Sequence, residues 1–476
     1  MPSHVSGAPA VARAAALVFL LAGTAWLLTP VLPWLDDAYI SVDSAQSILA
    51  GGDPQYGTPP LTGVTSPPYV LLLTILLGLG LGPLPALRVA GAMGLAAFMA
   101  ASWLLARSLG LRGWREFALP VAVLAAGPVV QQATNGVETG WAMAVATALI
   151  AACLAGRPMA AAVAAGLLPW LRPDLLPMAG LLLLAAVWKQ PSAVRVRAVA
   201  VAAMVFVPWG VWIYSESGQW VPQTMAAKAA FFAEACRPLP TKMVVVGQAL
   251  MAWLGVLLPA SLLGAAFVPL SSLGRLALVG SLATIAAYVA LLPGGLWHNY
   301  HRYLYPIGVP LLALGIGMSL TRRAFVWRTA TIAVITASLV LWPTKRLPGS
   351  SEAAERLDAA AWVREHVDPR ATLLVQDAGV FSVFTPNPLV DLVGLKTPAS
   401  IAAHQAWTLP SCGADRPKAI AAIAKSSGAE YLIVSSTWDA IFSLTAGLER
   451  QGVMLEHLRF PSNTPDDGYN VYRMSF

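Results

Sequence analysis

Long apolar runs recur along this chain from Ala14 to Trp342, and they restrict its possible folds more than any other feature. A straight helix needs about 20 mostly apolar residues to cross the hydrocarbon core of a bilayer, and many of the runs approach that length. Hydrophobic residues make up 57% of the 476 residues and charged residues only 11%, a balance that excludes a soluble globular protein. The sequence therefore predicts a polytopic α-helical membrane protein.

About eleven membrane-spanning helices are expected, although several runs are short for a straight helix. The first run, Ala14–Leu32, is interpreted as a retained helix and not as a signal peptide, because it is long enough to span and no small-residue cleavage site directly follows it. The other predicted spans are Val89–Ala106, Ala118–Thr134, Trp141–Ala155, Ala160–Leu171, Leu175–Trp188, Ala198–Tyr214, Met243–Leu270, Leu276–Leu292, Leu304–Leu320 and Ala330–Trp342.

The positions of the basic residues predict the orientation, because cytoplasmic loops are enriched in lysine and arginine. The stretch Tyr69–Leu87 is apolar enough to span, but a crossing there would scatter the basic clusters over both faces. We therefore expect it to lie in the interface or to re-enter, broken near Pro83 and Pro85, with a cytoplasmic N-terminus. The clusters that then share the cytoplasmic face are Arg13, Arg107/Arg112/Arg115, Arg157, Lys189/Arg195/Arg197, Arg275 and Arg322/Arg323/Arg328.

The composition changes near residue 344. Helical patterns at Glu352–Val367 and Pro417–Ser426 alternate with the strand-like segments "TLLVQDAG", "PLVDLVGL", "YLIVSS" and "YNVYRM". We expect a membrane domain over residues 1–343 and a small extracytoplasmic α/β domain over residues 344–476. The tail contains no Gly-rich phosphate loop and no cluster of metal ligands.

The cysteines and the net charge add little to the prediction of fold or function. Cys153, Cys236 and Cys412 are widely spaced with no CxxC pair, so neither a metal knuckle nor a disulfide framework is expected. The net charge is +7, but in a membrane protein the placement of basic residues matters more than their sum, and nothing supports a nucleic acid partner.

Two adjacent carboxylates, Asp36 and Asp37, follow the first span. They begin the segment "DDAYISVDSAQSILAGG", which predicts an amphipathic helix ended by Gly51 and Gly52. Capping of this helix explains the pair in purely structural terms, because the helix dipole stabilises carboxylates at an N-terminus. A carboxylate at the lipid–water boundary also serves as a general base for an acceptor hydroxyl, or as a ligand of a divalent metal.

Several cations lie on the same outer face near helix ends, where the orientation predicts few positive charges. Each one alone is explained by a side chain that reaches the lipid headgroups. As a set they indicate a substrate site, because ionisable groups at membrane depth are costly, and cations neutralise the phosphate that departs from a lipid-linked sugar. The candidates are Arg88, Arg172, Lys228, Arg302, His298 and His301.

Three turns complete the predicted site. Ser66 in "GVTSPPY" stands at the entry to the non-spanning segment, where proline at a helix start is ordinary. Glu138 in "NGVET" is either an N-terminal cap or a substrate contact. In "WLRPD", Arg172 and Asp174 are expected to form a buried pair that fixes a break between two short helices, a structural role for Asp174.

Seven motifs follow one another along the chain: "DDAYI" (36–40), "GVTSPPY" (63–69), "NGVET" (135–139), "LRPD" (171–174), "PQTMAAK" (222–228), "HRYLYP" (301–306) and "DAGVFSVFTPNPLVDLVGLKTP" (377–398). In this order they resemble the GT-C superfamily of glycosyltransferases, which use polyprenyl-phosphate sugars, and within it the arabinofuranosyltransferase-like and protein-mannosyltransferase-like enzymes. Together they cover nearly the whole chain. Asp43, Gln223 and Val64 depart from the family pattern, which more often has Arg, Asn and Tyr there.

The resemblance implies a GT-C membrane domain with interfacial helices in the first outer loop. It implies Asp36 or Asp37 as catalytic base, with Lys228 and Arg302 as the strongest phosphate ligands. The resulting hypothesis is an inverting glycosyltransferase of the inner membrane that moves a sugar from a polyprenyl-phosphate carrier to an envelope glycan or lipid. No nucleotide site is needed, because the donor is already activated. No cofactor is assigned, and the sequence leaves open a divalent metal, the sugar, the acceptor, the carrier length and the oligomeric state.

Two other classes of protein remain as alternatives. One is a transporter or flippase for a lipid-linked sugar, and the other is a non-catalytic relative whose outer domain binds glycan. Transporters more often show internal repeats and charged sites near the membrane midplane. The chain shows no convincing repeat and its charges cluster at one face, which favours the enzyme.

Overall fold

The computed structural model describes residues 35–124, 128–218, 220, 222–257, 262, 265–321, 350–460 and 468–476. The predicted spans Ala14–Leu32 and Ala330–Trp342 lie outside these residues. The helices up to residue 321 are α1 Asp36–Ala50, α2 Pro67–Gly78, α3 Pro83–Ser108, α4 Trp114–Leu124, α5 Pro128–Ala133, α6 Thr139–Leu154, α7 Pro158–Leu171, α8 Leu176–Val187, α9 Ser192–Ser217, α10 Thr224–Phe232, α11 Leu239–Val256, α12 Ser272–Leu291 and α13 Leu304–Thr321.

Four of these helices, α3, α9, α12 and α13, are long and apolar enough to cross a membrane. Helices α3, α9 and α13 each contain a predicted span, and α12 contains all but the last residue of Leu276–Leu292. Four shorter apolar segments of 10–17 residues contain α2, α6, α7 and α8. The described residues thus form a membrane-protein fold, while the count of eleven spans stays a prediction.

The stretch Tyr69–Leu87 is broken as its prolines predict. Helix α2 ends at Gly78 and α3 begins at Pro83, with a left-handed turn at Gly80 (φ 89°) between them. A helix of 12 residues rises only about 18 Å, well short of the roughly 30 Å hydrocarbon core. Helix α2 is one of the shorter apolar helices, and the interfacial or re-entrant placement of Tyr69–Leu87 stays a prediction.

Helix α1 follows the predicted segment. It runs from Asp36 to Ala50 and ends at Gly51, whose left-handed backbone (φ 77°) lets Gly51 and Gly52 donate to the carbonyls of Ile48 and Ser47. Most of its side chains are buried, because α2 packs on one side and the C-terminal domain on another. Asp36 and Asp37 thus begin a helix that lies between two parts of the protein.

The C-terminal part is a small α/β domain built on a five-stranded sheet. Across the sheet the strands lie in the order β2 (Leu389–Asp391), β1 (Leu373–Val375), β3 (Tyr431–Ser435), β5 (Tyr469–Ser475) and β4 (Met454–Arg459). Strands β2, β1 and β3 are parallel, and β5 is antiparallel to both its neighbours. Four strands match the predicted segments, and β4 was not predicted. The elements are α14 Ser350–His366, β1 Leu373–Val375, α15 Ala378–Phe384, β2 Leu389–Asp391, α16 Pro398–Ala403, α17 Arg416–Ser427, β3 Tyr431–Ser435, α18 Ser436–Phe442, α19 Leu444–Arg450, β4 Met454–Arg459 and β5 Tyr469–Ser475.

A disulfide joins the two parts, so the expectation that the cysteines form no disulfide was wrong. Cys236 follows α10 and pairs with Cys412, which precedes α17, with 5.5 Å between their Cα atoms. The 176 residues between them hid the pair, because spacing signals only local frameworks. Cys153 is a free thiol.

Loss of this disulfide is expected to destabilise the protein. Removing a native disulfide costs about 2–5 kcal/mol, so Cys236→Ser should lower the thermal unfolding temperature, and a reductant should lower that of the native protein similarly. Cys153→Ser is the control and should respond to reductant as the native chain does. A count of three free thiols in the denatured, unreduced protein would contradict the pairing; one is expected.

Candidate active site

A cavity of about 600 Å³ lies where the two parts of the protein meet. Its walls come from α1, the loop after Leu61, the junction of α7 and α8, α10, the end of α12 and the start of α13. Six predicted site residues line it: Asp37, Ser66, Glu138, Arg172, Lys228 and Arg302. They come from six separate motifs, so the fold brings together groups up to 265 residues apart, the separation of Asp37 and Arg302.

Asp37 and Arg302 form the central ion pair. Nη2 of Arg302 donates to Oδ2 of Asp37 at 2.6 Å, and 29% of the Asp37 side chain stays exposed. Burial acts to raise the pKa of Asp37, but Arg302 and Lys228 outweigh it and hold this pKa well below its usual value. Asp37 is therefore an ionised carboxylate that faces the cavity.

Lys228 stands one turn into α10 and reaches the same place. Its Nζ donates to the phenol oxygen of Tyr303 at 3.0 Å, and Arg302 donates to that oxygen at 3.2 Å. Within the described part of the chain, Lys228 forms no salt bridge with a carboxylate. Burial lowers the pKa of Lys228, but Tyr303 and Asp37 more than offset this, so Lys228 is a charged ammonium available to an anion.

The backbone before Arg302 is strained. Asn299, Tyr300 and His301 all have left-handed φ angles of 52°, 56° and 64°, which are uncommon without glycine. The amide of Gln132 donates to the carbonyls of Asn299 and Tyr300 at 3.3 and 3.4 Å. Gln132 in turn accepts from Asn135 at 2.9 Å, so the loop before α6 supports the turn that presents Arg302.

Arg172 is held by carboxylates. It donates twice to Asp174, at 2.9 and 2.8 Å, and once to Glu138 at 3.3 Å. The predicted pairing of Arg172 with Asp174 is therefore confirmed, with Arg172 buried and Asp174 partly buried. Glu138 makes no side-chain cap at the start of α6 and instead pairs with Arg172. The guanidinium of Arg172 also lies over the ring of Tyr303, 4.3 Å from its centroid.

Asp36 points away from the cavity and into the C-terminal domain. Its two carboxyl oxygens accept from the backbone N–H groups of Gly379 and Val380 at 2.9 and 2.8 Å, at the start of α15. Gly379 has no room for a side chain, because a Cβ there would strike the backbone of α1. Neither aspartate makes a side-chain cap on α1. Adjacent carboxylates thus have different places: Asp37 in the cavity and Asp36 between domains.

Three predicted ligands are not among the residues that line the cavity. Arg88 is exposed on α3. His298 packs on the ring of Phe232, 5.3 Å away, and His301 on Trp297 at 5.0 Å. Burial, with the nearby cation Lys228, lowers the pKa of His298 to about 4, so this imidazole is neutral at pH 7. No group of three or more metal-binding side chains occurs within the described ranges.

A buried ion cluster that was not predicted from the sequence adjoins the cavity. Lys396, fully buried in the C-terminal domain, pairs with Asp43 of α1 at 2.7 Å and with Asp53 at 2.9 Å. Leu395, next in the chain, lines the cavity. The only sequence signal was a lysine inside the apolar segment "LVGLKTP" together with an acidic Asp43 in place of the family's usual arginine.

Comparison with known proteins assigns the fold. ArnT from Cupriavidus metallidurans, a glycosyltransferase solved bound to undecaprenyl phosphate, is similar over 96% of this chain and 97% of its own, with a TM-score of 0.52 and 15% identity. The chain has the GT-C fold. The GT-C architecture implied by the seven motifs is thus confirmed.

Two other solved structures align with lower TM-scores. Arabinofuranosyltransferase AftD from Mycobacteria aligns with 99% of this chain but only 40% of its own, at 16% identity and a TM-score of 0.46. AglB from Archaeoglobus fulgidus, an oligosaccharyltransferase solved with an inhibitory peptide and a dolichol-phosphate, aligns with 89% of this chain and 70% of its own, at 10% identity and a TM-score of 0.46. Residues 347–472 match a family described as a domain of unknown function (DUF8728). No curated protein matches the chain in sequence.

Proposed function

We propose that this GT-C protein is an inverting glycosyltransferase that moves a sugar from a polyprenyl-phosphate carrier to a hydroxyl of an envelope glycan or lipid. The observation that carries the proposal is one cavity that holds an ionised carboxylate, Asp37, beside two cations, Lys228 and Arg302. The ArnT structure, with its bound undecaprenyl phosphate, supports the choice of carrier. An arabinofuranosyl or another neutral pentosyl or hexosyl group is the proposed cargo.

The phosphate of the carrier would bind Lys228 and Arg302. Nε and Nη1 of Arg302 are buried and have no hydrogen-bond partner among the described residues, so both can donate to phosphate oxygens. Apolar residues at the ends of the neighbouring helices, including Leu176 and Leu291, are also part of the cavity wall and are more than half exposed. They provide an apolar exit path for the lipid tail.

The reaction would be a single displacement. Asp37 takes the proton of the acceptor hydroxyl as its oxygen attacks the anomeric carbon from the face opposite the phosphate. The bond between this carbon and the phosphate oxygen breaks, and its electron pair stays on the phosphate, where Lys228 and Arg302 stabilise the charge. The anomeric configuration inverts, because one bond forms as the other breaks on the opposite face.

Donor binding would also strengthen the base. In the free protein the ion pair with Arg302 keeps the pKa of Asp37 low, which makes this carboxylate a weak base. A bound phosphate brings negative charge to the same guanidinium and weakens the pull of Arg302 on Asp37. The pKa of Asp37 then rises only when the donor is in place.

The proposed location is the bacterial inner membrane, with the N-terminus in the cytoplasm and the catalytic cavity at the outer face. The disulfide between Cys236 and Cys412 supports this orientation, because disulfides persist outside the cytoplasm. The proposed division is a catalytic membrane domain over residues 1–343 and an extracytoplasmic domain over residues 344–476.

Lys228→Met tests the phosphate site. A hydrogen bond to a charged group contributes about 1.5–3 kcal/mol, so this variant should bind polyprenyl phosphate about 10- to 150-fold more weakly in titrations of the purified protein. Lys425→Met, which removes an exposed lysine from α17, is the control and should bind as the native chain does. Equal affinity in Lys228→Met and the native protein would contradict the assignment.

A further inference from the structure

Part of the cavity wall carries only neutral hydroxyl groups. Ser41 of α1, Thr65 and Ser66 of the loop before α2, and Thr224 of α10 line it together. The hydroxyls of Thr65 and Thr224 lie 3.4 Å apart. The Ser66 side chain is about 95% buried, and its hydroxyl has no hydrogen-bond partner in the part of the chain that the structure describes. A buried hydroxyl without a partner is costly, and a bound ligand can supply that partner.

The C-terminal domain contributes to this same wall through Leu395. The carbonyl of Leu395 accepts from the side-chain amide of Gln223 at 3.4 Å, beside Thr224. The same carbonyl also lies against Gly63, where a Cβ would stand 2.7 Å from it and where the backbone is left-handed (φ 81°). Glycine is therefore required at position 63, because the two loops touch backbone to backbone.

Lys396 fixes the position of this loop. Its side chain is clamped between Asp43 and Asp53 of the first outer loop, and its backbone N–H donates to Asp391 at 2.9 Å. The neighbouring Leu395 is thus held in place by contacts to both domains. The part of the cavity wall that Leu395 forms is therefore a preformed surface.

The charged residues of the cavity are paired in a way that restricts the ligand. Asp37 pairs with Arg302, and Glu138 and Asp174 both pair with Arg172. Among the lining residues, every carboxylate has an arginine partner in the free protein, so an ammonium group on a ligand would have to share a carboxylate that an arginine already holds. Arg172 is likewise occupied, which leaves no cation for a ligand carboxylate once Lys228 and Arg302 hold phosphate.

We propose that Ser41, Thr65, Ser66, Thr224 and Leu395 form the sugar subsite, and that it takes a neutral sugar whose hydroxyls bond to this wall. The inference rests on the proposed function, since the sugar is placed beside a phosphate bound at Lys228 and Arg302. It also gives the domain at residues 347–472 a role: its Leu395 loop is one wall of the transfer site.

Titrations of the purified full-length protein in detergent test the subsite with three probes. These are decaprenyl phosphate, the same lipid carrying arabinofuranose, and the same lipid carrying glucosamine. One or two buried hydrogen bonds to the sugar should make the native protein bind the arabinofuranose lipid about 5- to 10-fold more tightly than the bare lipid. The glucosamine lipid should gain less than the arabinofuranose lipid, because its ammonium group has to share a carboxylate with an arginine.

Variants of the wall should remove the preference for sugar and leave lipid binding intact. Ser66→Ala should reduce the preference to about 2-fold, and Leu395→Trp, which fills the subsite, should abolish it. Ser102→Ala is the matched control, because Ser102 is also a buried hydroxyl without a partner but does not line the cavity.

The outcomes separate the two proposals. Equal loss of affinity for bare and sugar-bearing lipid in Ser66→Ala and Leu395→Trp would overturn the subsite, as would binding of the glucosamine lipid as tight as that of the arabinofuranose lipid. Failure of the native protein to bind any of the three lipids would instead overturn the proposed function.

Discussion

Asp37→Asn is expected to lower the rate of sugar transfer by about 10²- to 10⁴-fold, the usual contribution of a general base. The amide keeps the size of the side chain but cannot take a proton, and it loses the charge that pairs with Arg302. Transfer is measured with the purified protein as the rate at which a polyprenyl-phosphate sugar is consumed in the presence of acceptor.

Asp36→Asn is the matched comparison for this prediction, because it makes the same change at the adjacent aspartate. The asparagine oxygen still accepts one of the two N–H bonds that Gly379 and Val380 make to Asp36. We expect transfer within a few-fold of the native rate and a lower unfolding temperature, because only the junction between domains is weakened. Full activity in Asp37→Asn together with complete loss in Asp36→Asn would reverse the two roles.

Lys396→Met is expected to cost about 3–5 kcal/mol of folding free energy, the usual cost of breaking a buried ion pair. The change leaves Asp43 and Asp53 buried side by side without their shared cation. Thermal unfolding in detergent measures the loss at pH 7. Lys418→Met, an exposed position on α17, should change the unfolding temperature little.

The pH dependence gives this prediction a second signature. Burial and the neighbouring Asp53 raise the pKa of Asp43 to about 6, and removal of Lys396 raises it further. A carboxyl whose pKa is higher in the folded than in the unfolded state binds more protons in the folded state. The free energy of unfolding of the protein therefore falls as the pH rises. The deficit of Lys396→Met relative to the native protein should therefore be largest above about pH 6 and shrink toward pH 5. A stability deficit of Lys396→Met that grows on acidification would contradict the assigned ion pairs of Lys396 with Asp43 and Asp53.

Local signals in the sequence predicted the secondary structure well. Prolines and glycines mark the ends of α1, α2 and α3, and the four long apolar helices fall where the apolar runs predict them. Alternating patterns found four of the five strands. Strand β4, "MLEHLR", escaped because it is an edge strand with a weak alternation of exposed and half-buried residues.

Contacts between distant segments could not be predicted in the same way. The sequence indicated that Asp36 or Asp37 faces a set of cations, but only the fold separates them, since α15 meets Asp36 and the cavity meets Asp37. Tyr303, Gln132 and Lys396 went unnoticed for the same reason. Each acts through a partner dozens to hundreds of residues away, and no local periodicity records such a partner.

One measurement tests the central claim most directly: incubation of the purified protein with a polyprenyl-phosphate sugar and a hydroxyl acceptor, followed by analysis of the lipid. The account predicts that native protein releases free polyprenyl phosphate and forms a glycoside of inverted anomeric configuration, while Asp37→Asn binds the same donor and leaves it intact. Donor bound by the native protein but never cleaved, with a panel of neutral sugars and acceptors, would contradict the account and favour a transporter or a binding protein.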